Sequence, residues 1–133
     1  DPEKFVTEVL ALRENFQEIV DVSFRRDKHF QRSMKEAFEY FINLDTKSAQ
    51  YLSLYTDILL RKNSLKMQDT EVMQKLDDVI VIFKFLRDKD MFEDYYKKHL
   101  AHRLLHGQGS SEFHEKAMIG KLKVFLITIK YTL

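Results

Sequence analysis

Three histidines, His99, His102 and His106, fall at i, i+3 and i+7, and His114 follows a short Gly-containing break. On a helix the three share one side, and neutral imidazoles at that spacing could offer nitrogen ligands to zinc, with His114 approaching from the next element. The pattern lacks the H-E-x-x-H arrangement of helical zinc sites and has no Cys beside it. Lys97, Lys98 and Arg103 are interleaved with it, so a basic, solvated helix end is the preferred reading, because a helix C-terminus favours cations for its own reasons. No metal or other cofactor is expected.

Carboxylates and hydroxyls invite the same test. Asp77-Asp78 and Asp88/Asp90 are paired acids, but acid–base work needs two carboxyls facing one cleft. Neighbours on a helix diverge by about 100°, so Asp77 and Asp78 make no dyad, and Asp88 and Asp90 read as turn and cap residues. Ser110-Ser111 has no recognisable base, and Gly107 and Gly109 form no phosphate-cradling loop. Arg25-Arg26 with Lys28 and His29 is a short basic patch, partly balanced by Asp21 and Asp27 and expected to be a solvated helix junction. Rings at helical spacing could line a cofactor pocket but are more simply core. No residue is assigned a catalytic role, and the expectation is a non-enzyme.

Whatever these residues do, the elements that carry them are helical. The chain has 133 residues with one Pro and three Gly, too few breakers for a fold built on many tight turns. Eleven Phe and six Tyr can fill a core, at about 1.5–3 kcal/mol for each ring buried. Basic and acidic residues number 22 and 21 and are spread evenly over both halves, without the positive surplus that nucleic-acid binding usually needs. Cys is absent, which excludes disulfides and thiol chemistry and fits a reducing compartment. The most apolar run, Val79–Phe83 extended by Phe85 and Leu86, is broken by Lys84 and is far too short for a membrane span. A soluble intracellular protein is expected.

Six helices follow from the periodicity. Asp1-Pro2 opens the first, with Phe5, Val9, Leu12, Phe16 and Ile19 on one face. Asp27 caps the second, whose stripe is Phe30, Met34, Ala37 and Phe41, widened by Phe38. Asn43–Thr46 reads as a break, and Ser48 caps a third helix carrying Tyr51, Leu52, Tyr55, Ile58 and Leu59. After the polar link 63–68, Asp69 caps a fourth with Val72, Leu76, Val79, Ile80 and Phe83 inside. Its run Val79–Phe83 is locally strand-like, but the flanking pattern makes it a central helix, apolar nearly all round. Asp90 caps a fifth carrying Phe92, Tyr96, Leu100 and Leu104 and ending at Gly107, and a sixth begins at Ser110 or Ser111 and runs through Phe113, Ala117, Met118 and Leu122. The last nine residues, Phe125–Leu133, are β-branched and aromatic and read in isolation as a strand. The fold class is all-α: an elongated helical bundle or a slice of an α-solenoid.

The stretch from Asp88 to Leu105, Asp-Lys-Asp-Met-Phe-Glu-Asp-Tyr-Tyr-Lys-Lys-His-Leu-Ala-His-Arg-Leu-Leu, resembles the cullin signature KDVFExYYKxHLAxRLL without a gap. Glu115–Lys123 resembles the cullin stretch SDDSEKxMISKLK, and Phe38–Asn43 and Tyr51–Tyr55 resemble cullins of the cullin-3 branch. The resemblance runs from about Phe5 to Lys123. Its structural signature residues here are Phe92, Tyr95, Tyr96, Leu100, Arg103, Leu104 and Leu105. Departures are His102 where Lys is usual, Gly120 where Ser is common, Ser110-Ser111-Glu112 for a more acidic segment, and a tail from Val124 that does not match.

The resemblance implies that residues 1–65 end a helical cullin repeat, that 69–123 open the C-terminal four-helix bundle, and that 124–133 are a divergent tail. It implies a non-catalytic scaffold segment of a cullin–RING ubiquitin ligase, in the cytoplasm and nucleus, holding the substrate-adaptor arm and the RING-binding end at a fixed separation. The adaptor and RING-box sites of the family lie outside this stretch, and no direct contact with ubiquitin, nucleic acid or membrane is expected. The alternative is a truncated, cullin-like interaction module without ligase activity. A His-based metalloenzyme is the contrasting class. The core is expected to be Phe92, Tyr96, Leu100 and Leu104 packed on Leu76, Ile80 and Phe83, and faces left without neighbours favour a homodimer or helix swap.

Overall fold

The computed structural model describes residues 1–23, 27–61, 67–107 and 112–132, with the side chains of Ser23 and residues 126–132 excepted. Six helices account for nearly all of them: α1 (Pro2–Ser23), α2 (Lys28–Leu44), α3 (Ser48–Leu60), α4 (Asp69–Phe83), α5 (Lys89–His106) and α6 (Glu112–Thr132). The fold is an all-α helical solenoid slice, and no helix among the described residues is long and apolar enough to cross a membrane.

Three of the starts, those of α1, α2 and α5, have a side-chain cap. The Asp1 carboxylate accepts from the backbone N–H of Glu3 at 3.0 Å, and Asp27 accepts from Phe30 N–H at 3.0 Å, satisfying amides that the first helical turn leaves open. The remaining caps sit slightly upstream of expectation. Lys47 rather than Ser48 precedes α3, Gln68 rather than Asp69 precedes α4, and Asp88 rather than Asp90 caps α5 by accepting from Met91 N–H. Asp69 and Asp90 fall instead in first turns, where a carboxylate meets the positive end of the dipole. At the far end of α5, Gly107 adopts φ of 60°, the left-handed C-cap geometry that favours glycine.

One apolar core runs through all six helices, from Val6 and Val9 through Phe38, Ile42, Leu52, Leu59, Val72, Leu76, Phe83 and Phe92 to Met118 and Leu122. The helices meet most extensively where α5 lies on α3, with α1 and α4 also packed on α3, and α6 on α4. Rings continue the core: Phe16 meets Phe38 edge-on at 6.4 Å, Phe38 meets Phe85 at 4.9 Å, and Phe83 lies between Phe92 at 5.0 Å and Phe125 at 5.4 Å. Such edge-to-face contacts add to the burial of each ring.

Four expectations are corrected. The signature helix α5 packs mainly on α3 and meets α4 near its own start, where Phe92 and Lys89 lie against Phe83. Leu104, expected in the core, is 68% exposed, and Leu105 is exposed as well. On α2 the core residues are Phe38 and Ile42, while Phe41 is half exposed, and on α1 Val6 and Val20 are buried in place of Ile19. The strand-like tail is helical through Thr132. Helix propagation adds a hydrogen bond for each residue fixed, and Phe125 docked on Phe83 rewards it; local strand propensity is the weaker influence.

Candidate functional site

The deepest chemistry in the molecule is ionic. Arg103, near the end of α5, is fully buried. Its Nε donates to Glu115 Oε1 at 2.7 Å and its Nη2 to Glu115 Oε2 at 3.0 Å, a two-pronged grip on a carboxylate in the first turn of α6. Its Nη1 donates to Asp57 Oδ1 on α3 at 2.6 Å. The other Asp57 oxygen accepts from Arg61, the residue that follows α3, at 2.8–2.9 Å. Three helices thus meet at one planar guanidinium, whose fixed fork suits two carboxylates at once.

The surroundings respond. Burial alone pulls the Arg103 pKa down, but hydrogen bonds to Glu115 and Asp57 outweigh it and the net direction is up. His99 stands 3.7 Å from Asp57, yet its pKa is lowered, first by burial, with Asp57 opposing and Arg103 and Arg61 adding repulsion. The Tyr96 ring lies 5.7 Å from the guanidinium carbon. Its hydroxyl is buried, and its pKa is pushed up to about 12, chiefly by burial and then by Glu115, with Arg103 opposing.

A second junction is polar but uncharged. The Asn43 amide, at the end of α2, donates to Glu39 O at 2.7 Å and to Phe85 O at 2.8 Å, and its oxygen accepts from Arg87 N–H at 2.8 Å. It clamps the α4–α5 turn to α2. By type Asn43 reads as a simple helix breaker, because its bonds to residues more than forty positions away leave no local signal.

The histidines do not converge. His102 and His106 meet at 4.3 Å with their rings tilted 45° on the exposed side of α5, His99 faces Asp57, and His114 Nε2 lies 3.1 Å from Asp69. Among the described residues no group of three or more His, Cys, Asp or Glu is placed to hold a metal ion. Asp77 pairs with Lys121 and Asp78 accepts from Gln74 at 3.3 Å, so the neighbouring acids serve different partners. Lys28 and His29 are exposed; Arg25-Arg26 and Ser110-Ser111 lie outside the described residues. Of the signature residues, Phe92, Tyr96 and Arg103 are buried, Tyr95 and Leu100 are half-buried, and Leu104 and Leu105 are exposed.

A family model described as the cullin alpha solenoid domain matches residues 1–130. The chain belongs to the cullin family. The cullin match runs through most of the segment from Val124 onward, where the motif resemblance stops. Cullin-3A of Arabidopsis thaliana is 43% identical over 123 residues, covering 92% of this chain and 17% of the relative. Cullin-3 of Dictyostelium discoideum is 42% identical over 115 residues, covering 86% and 15%. Cullin-3 of Caenorhabditis elegans is 37% identical over 123 residues, covering 92% and 16%. The chain is therefore cullin-3-like and spans about a sixth of the length of these curated cullins.

Proposed function

We propose that this chain is a rigid spacer in a cullin–RING ubiquitin ligase, holding a substrate-adaptor arm and a RING-binding end at fixed separation without doing chemistry itself. Residues 1–65 then close a cullin repeat and residues 69–123 open the C-terminal bundle. The observation that carries the reading is the unbroken core through six helices, tied across by Asp57, Arg103 and Glu115. Rigidity suits such a ligase because holding two reactants in a productive geometry replaces a slow bimolecular encounter. The adaptor and RING-box protein are the partners of the assembled ligase, and the cytoplasm and nucleus its compartments.

The test is a chimera. This chain replaces the matching segment of a full-length cullin-3, and ubiquitin transfer to an adaptor-bound substrate is measured. A second chimera carries a long Gly/Ser insert between Arg61 and Met67, which behaves as a flexible coil. The first is expected to support transfer. The second is expected to bind adaptor and RING-box protein normally while transferring slowly. Equal transfer by both ends the spacer reading. The isolated chain is also expected to pair with itself through exposed apolar residues such as Tyr40, Phe41 and Leu44; light scattering that shows a monomer at high concentration refutes this.

A further inference from the structure

Apolar packing is non-directional. A core of aliphatic and aromatic side chains holds helices rigidly together once packed, but it penalises a neighbouring register less sharply than a buried ion does. Arg103 is fully buried, the Asp57 side chain is 3% exposed and that of Glu115 10%. Three nitrogens of one rigid plane are committed to two carboxylates, at 2.6, 2.7 and 3.0 Å. Asp57 is held from its other side by Arg61, so its own rotamer has little freedom. Sliding α5 along α3 by one residue, or swinging α6 away, separates these charges inside the protein, where an unpaired ion is heavily penalised.

We propose that the Asp57–Arg103–Glu115 triad is the device that sets the angle of α5 and α6 against α3, with Arg103 as a positioning residue that selects one helix arrangement and adds little to stability. The inference rests on the rigid-spacer reading and names the groups that make the spacer stiff. It assigns Arg103 a task distinct from that of its neighbour Phe92, which fills space. The charged triad joins residues 46 and 12 positions apart, so it connects the part of the chain before the 62–66 link with the part after it.

The experiment uses the absence of Cys in the chain. Ile58→Cys on α3 and Lys123→Cys on α6, both exposed, carry spin labels, and pulsed electron paramagnetic resonance measures the distance distribution between them. The first variant makes the triad apolar: Asp57→Leu, Arg103→Met and Glu115→Leu together. Replacing a buried ion network by apolar side chains is commonly neutral or stabilising, so helicity and cooperative unfolding should persist while the distribution roughly doubles in width or splits. The second variant, Arg103→Lys, keeps the charge but loses the fork, and should also broaden the distribution. Widths unchanged from the parent in both variants overturn the proposal and leave the rigid spacer standing. Unfolding of both also overturns it, since the ions would then supply stability. A broad distribution in the parent chain refutes the rigid spacer itself, and the lock with it.

Discussion

The rotational setting of α5 predicts a sharp contrast between two apolar residues of the signature segment. At about 100° per residue, Arg103 lies about 20° from Phe92 around the helix axis, whereas Leu104 lies about 120° away. Phe92 is 1% exposed, with Phe83 at 5.0 Å and Tyr96 at 6.1 Å between ring centres. Phe92→Ala leaves a cavity walled partly by stiff rings that collapse poorly, so a loss of about 3–5 kcal/mol is expected. Leu104 is 68% exposed, and Leu104→Ala should change stability by no more than about 0.5 kcal/mol, as for ordinary surface sites. The chain has no Trp, so urea unfolding is best followed by far-ultraviolet circular dichroism. With a slope of about 2 kcal/mol/M, the Phe92 variant should unfold about 2 M earlier with the slope unchanged. The Leu104 variant should overlay the parent. Comparable losses in both variants would mean that α5 presents a different face, and the assignment of Arg103 to the interior would fall with it.

Other perturbations are read from single contacts. Asn43→Ala removes partners from Phe85 O and Arg87 N–H and should cost about 1–3 kcal/mol; hydrogen exchange should report faster opening of the Arg87 amide, and unchanged protection there counts against the clamp. Gly120 sits inside α6 with nothing within 4 Å of where a Cβ would stand, so Gly120→Ala should stabilise by about 0.5–1 kcal/mol, and a lower melting temperature contradicts the open space described. Tyr55 and Tyr96 both have pKa values pushed up to about 12 from 10.0, Tyr55 first by burial and then by Asp78 and Glu3. A folded-state value above the unfolded one means that the folded chain keeps the proton longer. Their contribution is therefore full below about pH 10 and is lost as pH rises towards 12. Stability in Tyr55→Phe/Tyr96→Phe should fall less steeply over that window, and tyrosinate absorbance in the parent should appear together with unfolding; parallel stability curves would refute the assignment.

Much of the architecture is legible because it rests on patterns that survive without tertiary context. The apolar periodicity of α1 to α5, the Asp1 and Asp27 caps and the Gly107 terminator depend on neighbours within a turn. The strand-like run Val79–Phe83 resolves as helix for the same reason, since its flanks keep the longer period. Errors arise where two faces of one helix are both apolar. On α2, Phe41 and Phe38 are equally good candidates by type, and only the packed partners Phe16 and Phe85 decide for Phe38. On α5 a stripe drawn through apolar residues alone passes over the charged ones. Phe92, Tyr96, His99 and Arg103 follow at steps of four, three and four, the same rhythm that marks an apolar face. That rhythm was the available sign that Arg103 points inward, and polarity concealed it.

The interior can hold these charges because they cancel. Asp57 and Glu115 bring two negative charges, and Arg103 and Arg61 return two positive ones through direct contacts. Arg61 is 42% exposed at its side chain, so the second cation is supplied from the surface and bears little of the desolvation cost. His99 beside them is held towards its neutral form, first by burial and then by repulsion from Arg103 and Arg61, against the pull of Asp57. Neutrality makes the cluster tolerable, but tolerance alone does not explain it, since leucines of similar bulk would avoid the desolvation cost altogether. Leucines would distinguish one helix register from its neighbour less sharply, because a displaced ion is left unpaired and a displaced leucine is not. For the spacer we propose, that distinction matters more than stability, and the planar cation shared by α3, α5 and α6 is the group we propose supplies it.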